Sequence, residues 1–201
     1  MFEINKKQLT ALILAGGKSS RMEGNDKGLM RFNDKFLIQH LHSLAERFCS
    51  NVLVNVNRNF NEYKRFGFNI CKDLISDYQG PLAGMYTGLE QTNTDYLITL
   101  PCDGPFINES YFKKMVLLDK GFDINVAFDG NRIQPVYCLL RKDLRKSLKS
   151  FLESGERKID KWFDLCSVNS IDFSKNEEMF VNINNKEEFN KYKNKVQNVL
   201  E

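Results

Sequence analysis

The sequence predicts an α/β fold: a mostly parallel sheet with helices on both faces and one antiparallel element joined to it. Three observations predict it. Apolar runs of strand length alternate with segments of helical period through the first two thirds of the chain. Strands separated by helices require crossover connections, which are right-handed and lay helices over a parallel sheet. At Asp129-Gly130-Asn131-Arg132, by contrast, a turn signature sits between two strand-like runs and predicts a hairpin.

Each element follows in order. Residues 9–15 are apolar but for Thr10 and read as a buried strand, and 51–56, 68–71 and 95–100 also read as strands. Over 37–48, Leu37, Leu41, Leu44, Ala45 and Phe48 fall on one stripe, the mark of an amphipathic helix. Residues 82–91 and 108–118 give two more helices. The hairpin occupies 123–140, and a helix over 141–154 ends at Ser154-Gly155. A short helix over 159–163, strand-like pieces near 167–171 and 180–183, and a helix from 185 complete the chain. Without a repeat or a linker, 1–201 reads as one domain.

Composition narrows the function classes. A hydrophobic fraction of 42% and a charged fraction of 27% are those of an ordinary globular protein. A net charge of +3 is too small to argue for nucleic acid. No apolar run approaches the ~18 residues of a membrane span, and residues 1–10 lack the apolar core of a signal peptide, so a cytoplasmic location is expected. The five cysteines are an odd number, widely spaced and without a C-x-x-C pair, which fits free thiols rather than zinc. The only histidines, His40 and His42, are two apart on a helix and point to nearly opposite sides, so neither a metal pair nor a catalytic triad is available.

Chemistry gathers where strands end, because ligands of open parallel sheets sit outside the carboxyl edge. After the first strand comes Gly16-Gly17-Lys18-Ser19-Ser20-Arg21, with Asp26-Lys27 shortly beyond. Glycines let backbone N–H groups approach phosphate oxygens, and Lys18, Arg21 and Lys27 supply the opposing charge. It is not a Walker A loop, whose first glycine would fall where this chain has Leu12. The same residues also fit a glycine turn leading into a basic, solvated loop. Asn55-Val56-Asn57-Arg58 follows the second strand, Asp73 the third, and Pro101-Cys102-Asp103-Gly104-Pro105 the fourth. Asp103 is a candidate Mg²⁺ ligand, since Mg²⁺ favours one or two carboxylates together with phosphate oxygens. An Asp after a strand is also a common turn former or helix cap, although Asn108 is better placed to cap the next helix. Asp73 is a second candidate ligand or a ribose contact, and Gly80-Pro81-Leu82-Ala83-Gly84 opens a helix whose small residues would let a flat ring lie close, although helix packing alone also explains Ala83 and Gly84.

Together these residues resemble the molybdenum cofactor guanylyltransferase, or MobA, family. The resemblance rests on Leu14-Ala15-Gly16-Gly17, Arg21-Met22 and Asp26-Lys27, then Asn55-Val56-Asn57-Arg58, Gly80-Pro81-Leu82-Ala83-Gly84 and Pro101-Cys102-Asp103. Gln134-Pro135-Val136-Tyr137, Ser154-Gly155-Glu156-Arg157-Lys158 and Asn182-Ile183-Asn184-Asn185-Lys186-Glu187-Glu188 extend it over nearly the whole chain. It implies a Rossmann-like nucleotidyltransferase that joins GMP from Mg·GTP to the terminal phosphate of molybdopterin carrying molybdenum, releasing pyrophosphate. About 1–105 would then bind GTP and Mg²⁺, and about 123–190 the acceptor. The implied GTP contacts are Leu14, Ala15, Gly16, Gly17, Lys27, Asn55, Asp73, Gly80, Pro81, Leu82 and Asp103, with Asp103 also on the metal.

Arg21, Lys27 and Asp103 would carry the chemistry, Arg21 and Lys27 as solvated loop cations. Gln134, Arg157, Lys158, Trp162, Asn182 and Asn184 offer the amides, cations and aromatic face that a pterin phosphate calls for, although Arg157 and Lys158 also fit ordinary surface charges and Trp162 a core residue. The resemblance also implies protein partners that deliver the cofactor and mature molybdoenzymes. Gly104, Gln134 and Asn185-Lys186 depart from residues usual in the family. A cytidylyl- or uridylyltransferase and a non-catalytic nucleotide-binding module are the competing readings.

Overall fold

A computed structural model describes residues 1–17, 26–32, 35–75 and 80–200. Its main sheet has seven strands in the order β11-β9-β10-β7-β2-β5-β6. In chain order they are β2 (Leu9–Leu14), β5 (Asn51–Asn55), β6 (Asn69–Cys71), β7 (Tyr96–Pro101), β9 (Ile124–Phe128), β10 (Ile133–Arg141) and β11 (Val168–Asp172). Two small ribbons flank the sheet, β1 (Phe2–Glu3) with β8 (Leu117–Leu118) and β3 (Arg31–Phe32) with β4 (Lys35–Phe36). β2, β5, β6 and β7 are mutually parallel, while β10 runs antiparallel to both β7 and β9. That is the mostly parallel sheet with an antiparallel insertion that the sequence predicts.

The buried run of β2 divides its side chains between two cores. Leu9, Ala11 and Ile13 face one side with α1 (Leu37–Phe48), α4 (Glu109–Met115) and α7 (Lys186–Leu200); Leu12 faces the other with α3 (Pro81–Gln91), α5 (Arg145–Glu153) and α6 (Ile159–Phe163). Helix α3 lies unusually close to the sheet. A Cβ at Gly84 would come 2.5 Å from a Leu14 methyl, and one at Gly88 2.7 Å from a Leu12 methyl. Its first turn is set by Gly80, at φ +81°, and by Pro81 in the position where a missing N–H costs nothing.

Several boundaries differ from the sequence reading. The helix expected over 108–118 ends at Met115, and Leu117–Leu118 instead pairs with Phe2–Glu3 near the chain start. Asn108 caps it, accepting the Ser110 N–H at 2.9 Å. A helix α2 (Phe60–Arg65), which sequence periodicity does not reveal, seats the buried Tyr63. The strand-like piece at 180–183 is not a strand. A 3₁₀ segment, Ser174–Phe180, precedes it, and the Ile183 N–H bonds the Asp103 carbonyl at 2.9 Å, a loop rather than a ladder.

Candidate active site

Strand register assembles the site. Leu14 pairs with Asn55 on one side and Pro101 on the other, and Asn55 pairs with Cys71. The parallel strands therefore finish flush, and the residues that follow each of them meet around one cleft of 380 Å³. The cleft lies where strand order reverses, with β5 and β6 to one side of β2 and β7 to the other. It is lined by Leu14, Gly16, Gly17, Asn55, Asp73, Gly80 and Pro81, by Pro101 and Asp103, and by Gln134 and Asn182 among others.

On the β5 side the polar groups hold one another. Asn55 donates its amide to Asp73 Oδ1 at 2.8 Å, and Asn57 donates to Asp73 Oδ2 at 2.7 Å and to the Gly16 carbonyl at 3.1 Å. The Asn57 Oδ1 in turn accepts the Asp73 N–H at 3.1 Å. Three loops are thus latched together through Asn57, to which the sequence reading gives no role although it stands in a quoted motif. Gly16 is required here, because a Cβ would lie 2.5 Å from Asn57 Nδ2 and 2.8 Å from Asn55 Oδ1. The Leu14 carbonyl accepts the Cys102 N–H and the Ala15 N–H bonds the Asn55 carbonyl, so both are already engaged by neighbouring strands.

On the β7 side Asp103 is 9% exposed, and its two oxygens differ. Oδ2 accepts from Lys27 Nζ at 2.7 Å, and Lys27 also donates to Asn184 Oδ1 at 2.7 Å. Oδ1 is buried without a hydrogen-bond partner. A buried carboxylate oxygen left bare is costly unless a cation completes it. Asp103 therefore fits a divalent cation whose remaining ligands come from phosphate and water, and no group of three acidic, His or Cys ligands occurs among the described residues. Lys27 is not the solvated cation the sequence suggests: its side chain is 19% exposed. Asp26 holds it in place, accepting the Gly28 N–H at 3.2 Å and the Tyr63 hydroxyl at 2.7 Å. Arg21 lies outside the described residues, as do all of residues 18–25.

The remaining expected residues divide. Asn182 and Gln134 line the cleft, Gln134 with its amide donated to Asp129 in the hairpin turn at 2.6 Å. Asn184 reaches the site through Lys27. Leu82 does not line the cleft; it is fully buried on the core-facing side of α3. Trp162 is a core residue rather than a stacking platform, 0% exposed against Phe163, with its indole N–H on Ser147 Oγ at 3.3 Å. Arg157 donates to the carbonyls of Leu152 and Glu156, closing the end of α5, and neither it nor Lys158 lines the cleft. No histidine lines it either.

Known proteins resemble this chain in sequence and in fold. The sequence profile of the MobA-like NTP transferase domain matches residues 11–168. The chain belongs to that family. A molybdenum cofactor guanylyltransferase of Shewanella loihica is 43% identical over 90% of this chain and 93% of its own length. Its counterpart in Shewanella halifaxensis is 41% identical over 90% and 92%. Among solved structures, molybdopterin-guanine dinucleotide biosynthesis protein A of Archaeoglobus fulgidus superposes with a TM-score of 0.73 at 17% identity, covering 95% of this chain and 98% of that one. A nucleotidyl transferase of Methanothermobacter reaches 0.76 at 16% identity, covering 95% and 98%. The MobA-like chain thus has the Rossmann-like nucleotidyltransferase fold, and it is a nucleotidyltransferase. Among the described residues no helix is long and apolar enough to cross a membrane.

Proposed function

We propose that this chain transfers GMP from GTP to the terminal phosphate of molybdopterin carrying molybdenum, yielding the guanine dinucleotide form of the cofactor and pyrophosphate. The relatives named above support that pair of substrates. The observation that carries the reaction class is the bare Asp103 Oδ1 at the cleft, one carboxylate away from a cationic Lys27. Asp103 and phosphate oxygens would hold Mg²⁺, which when bound offsets negative charge on the triphosphate.

The chain's own groups then have defined tasks. Gly16 and Gly17 leave room for the triphosphate to approach backbone, and Asn55, Asp73, Gly80 and Pro81 border the space for nucleoside. Lys27, and Arg21 in the same basic segment, meet charge growing on the departing pyrophosphate. Asn182, Asn184 and Gln134 align the acceptor, so that 1–105 serves the nucleotide and 123–190 the pterin. A phosphate monoester, with a second pKa of about 6, is already mostly a dianion at neutral pH. Alignment rather than proton removal is what remains to be supplied, which suits a cleft with no histidine. A cytoplasmic setting fits five free thiols, four of them buried.

Incubation with molybdopterin and an equal mixture of GTP, CTP and UTP, followed by mass spectrometry of the cofactor, tests the reading. The expected product carries GMP alone. CMP or UMP on the pterin would reassign the base, and an unmodified pterin with GTP intact would remove the activity.

A further inference from the structure

The cleft wall explains why residue 104 is a glycine. Between Gln134 and Cys138 the hairpin register slips: β10 advances four residues while β9 advances from Ala127 to Val126. Such a bulge re-aims the side chains it contains. It directs Tyr137 inward, 1% exposed, with its ring edge-on to Tyr111 at 5.9 Å and to Phe180 at 5.0 Å. The Tyr137 hydroxyl then donates to Asn182 Oδ1 at 3.0 Å. A Cβ at Gly104 would lie 2.1 Å from that hydroxyl oxygen. Gly104 has no positive φ that would call for glycine, so its reason is space.

The bond fixes which end of Asn182 the cleft meets. A side-chain amide has one acceptor oxygen and two N–H donors. With Oδ1 held by Tyr137, the N–H groups are what Asn182 offers a ligand. Burial, then the charge of Asp103, pushes the Tyr137 phenol well above its usual range, so it remains a donor at physiological pH. The Ile183 N–H on the Asp103 carbonyl holds the same segment against the metal-side loop.

We propose that Tyr137 is a positioning residue for the acceptor: through the space left by Gly104, its hydroxyl orients the Asn182 amide with N–H donors toward oxygen atoms of the bound pterin or its phosphate. This role rests on the guanylyl-transfer reading above. Gly104 and Tyr137 form a matched pair, and a larger residue at 104 is incompatible with the hydroxyl.

Steady-state kinetics and thermal melts of four proteins test it: parent, Tyr137→Phe, Gly104→Ala and the double variant. Tyr137→Phe keeps the ring and loses one hydrogen bond, so KM for molybdopterin should rise about fivefold, with KM for GTP unchanged. Gly104→Ala should raise the same KM and also lower Tm. The double variant, lacking the oxygen that the new methyl strikes, should regain most of that Tm while keeping the raised KM. A parent-like KM for molybdopterin in Tyr137→Phe overturns the role, as does an equal rise in KM for GTP or a double variant no more stable than Gly104→Ala. A parent that binds GTP but transfers nothing to molybdopterin overturns the guanylyl-transfer reading first, and this role with it.

Discussion

The two sides of the cleft are built by different means. Where β2, β5 and β6 end, Asn55, Asn57, Asp73 and Gly16 hydrogen-bond one another at 2.7–3.1 Å, on loops set by adjacent parallel strands. Across from them the lining residues ride on a bulge in β10 and on the irregular chain around Asn182 and Asn184. Those residues reach backward for support: Asn182 to Tyr137, Asn184 to Lys27, Gln134 to Asp129. The first side is stiff because its polar groups satisfy each other. The second leans on partners outside itself, Asn182 and Asn184 across 45 and 157 residues and Gln134 across five.

Substitutions can break or sharpen that contrast. The largest effect is expected away from both sides. Trp162→Ala should cost about 3–5 kcal/mol by urea denaturation, as loss of a fully buried aromatic does, and Trp162→Phe should leave KM for molybdopterin at the parent value. A raised KM at parent stability would return the indole to the acceptor side. Asp103→Asn should cut turnover by ~10²–10³ and also lower Tm, because it leaves the mostly buried Lys27 ammonium without its ion pair. Turnover restored in the cold would mark Asp103 as a loop-shaping residue only.

Lys27→Ala should cut turnover by about 10² and also lower Tm, because it leaves a mostly buried carboxylate without its ion pair. Adding Asp103→Asn should return that lost stability. Single-turnover rates equal to the parent's would take Lys27 out of the chemistry. Gly16→Ala forces a methyl into the Asn55–Asn57 latch, an overpacking of about 1–3 kcal/mol. KM for GTP should therefore rise about tenfold and KM for molybdopterin stay fixed; a rise in both would mean that the two sides are not separable. The smallest change is Arg157→Ala, about 1 kcal/mol of stability from uncapping α5, with both KM values unchanged. Weaker molybdopterin binding in that variant would show that the acceptor extends past the cleft to the end of α5.

The sequence by itself determined the sheet, the hairpin and the residues at four strand ends. Those signals are local: an apolar run, a helical stripe, a turn, a polar residue just past a strand. Even Asn108 as a helix cap was legible, since a cap concerns the first turn of its own helix. Residue type alone could not place the acceptor side. Trp162, Arg157 and Lys158 carry suitable chemistry, yet packing sends the indole into the core and the guanidinium to a helix end. Tyr137 and Gly104 are 33 positions apart by their numbering, and only the bulge in β10 brings hydroxyl and glycine together. Lys27, read as a solvated loop cation, is buried by Asp103 and Asn184, which follow it by 76 and 157 residues. Burial and partner choice at long range belong to tertiary structure, because they depend on which elements pack together and not on what any one segment prefers.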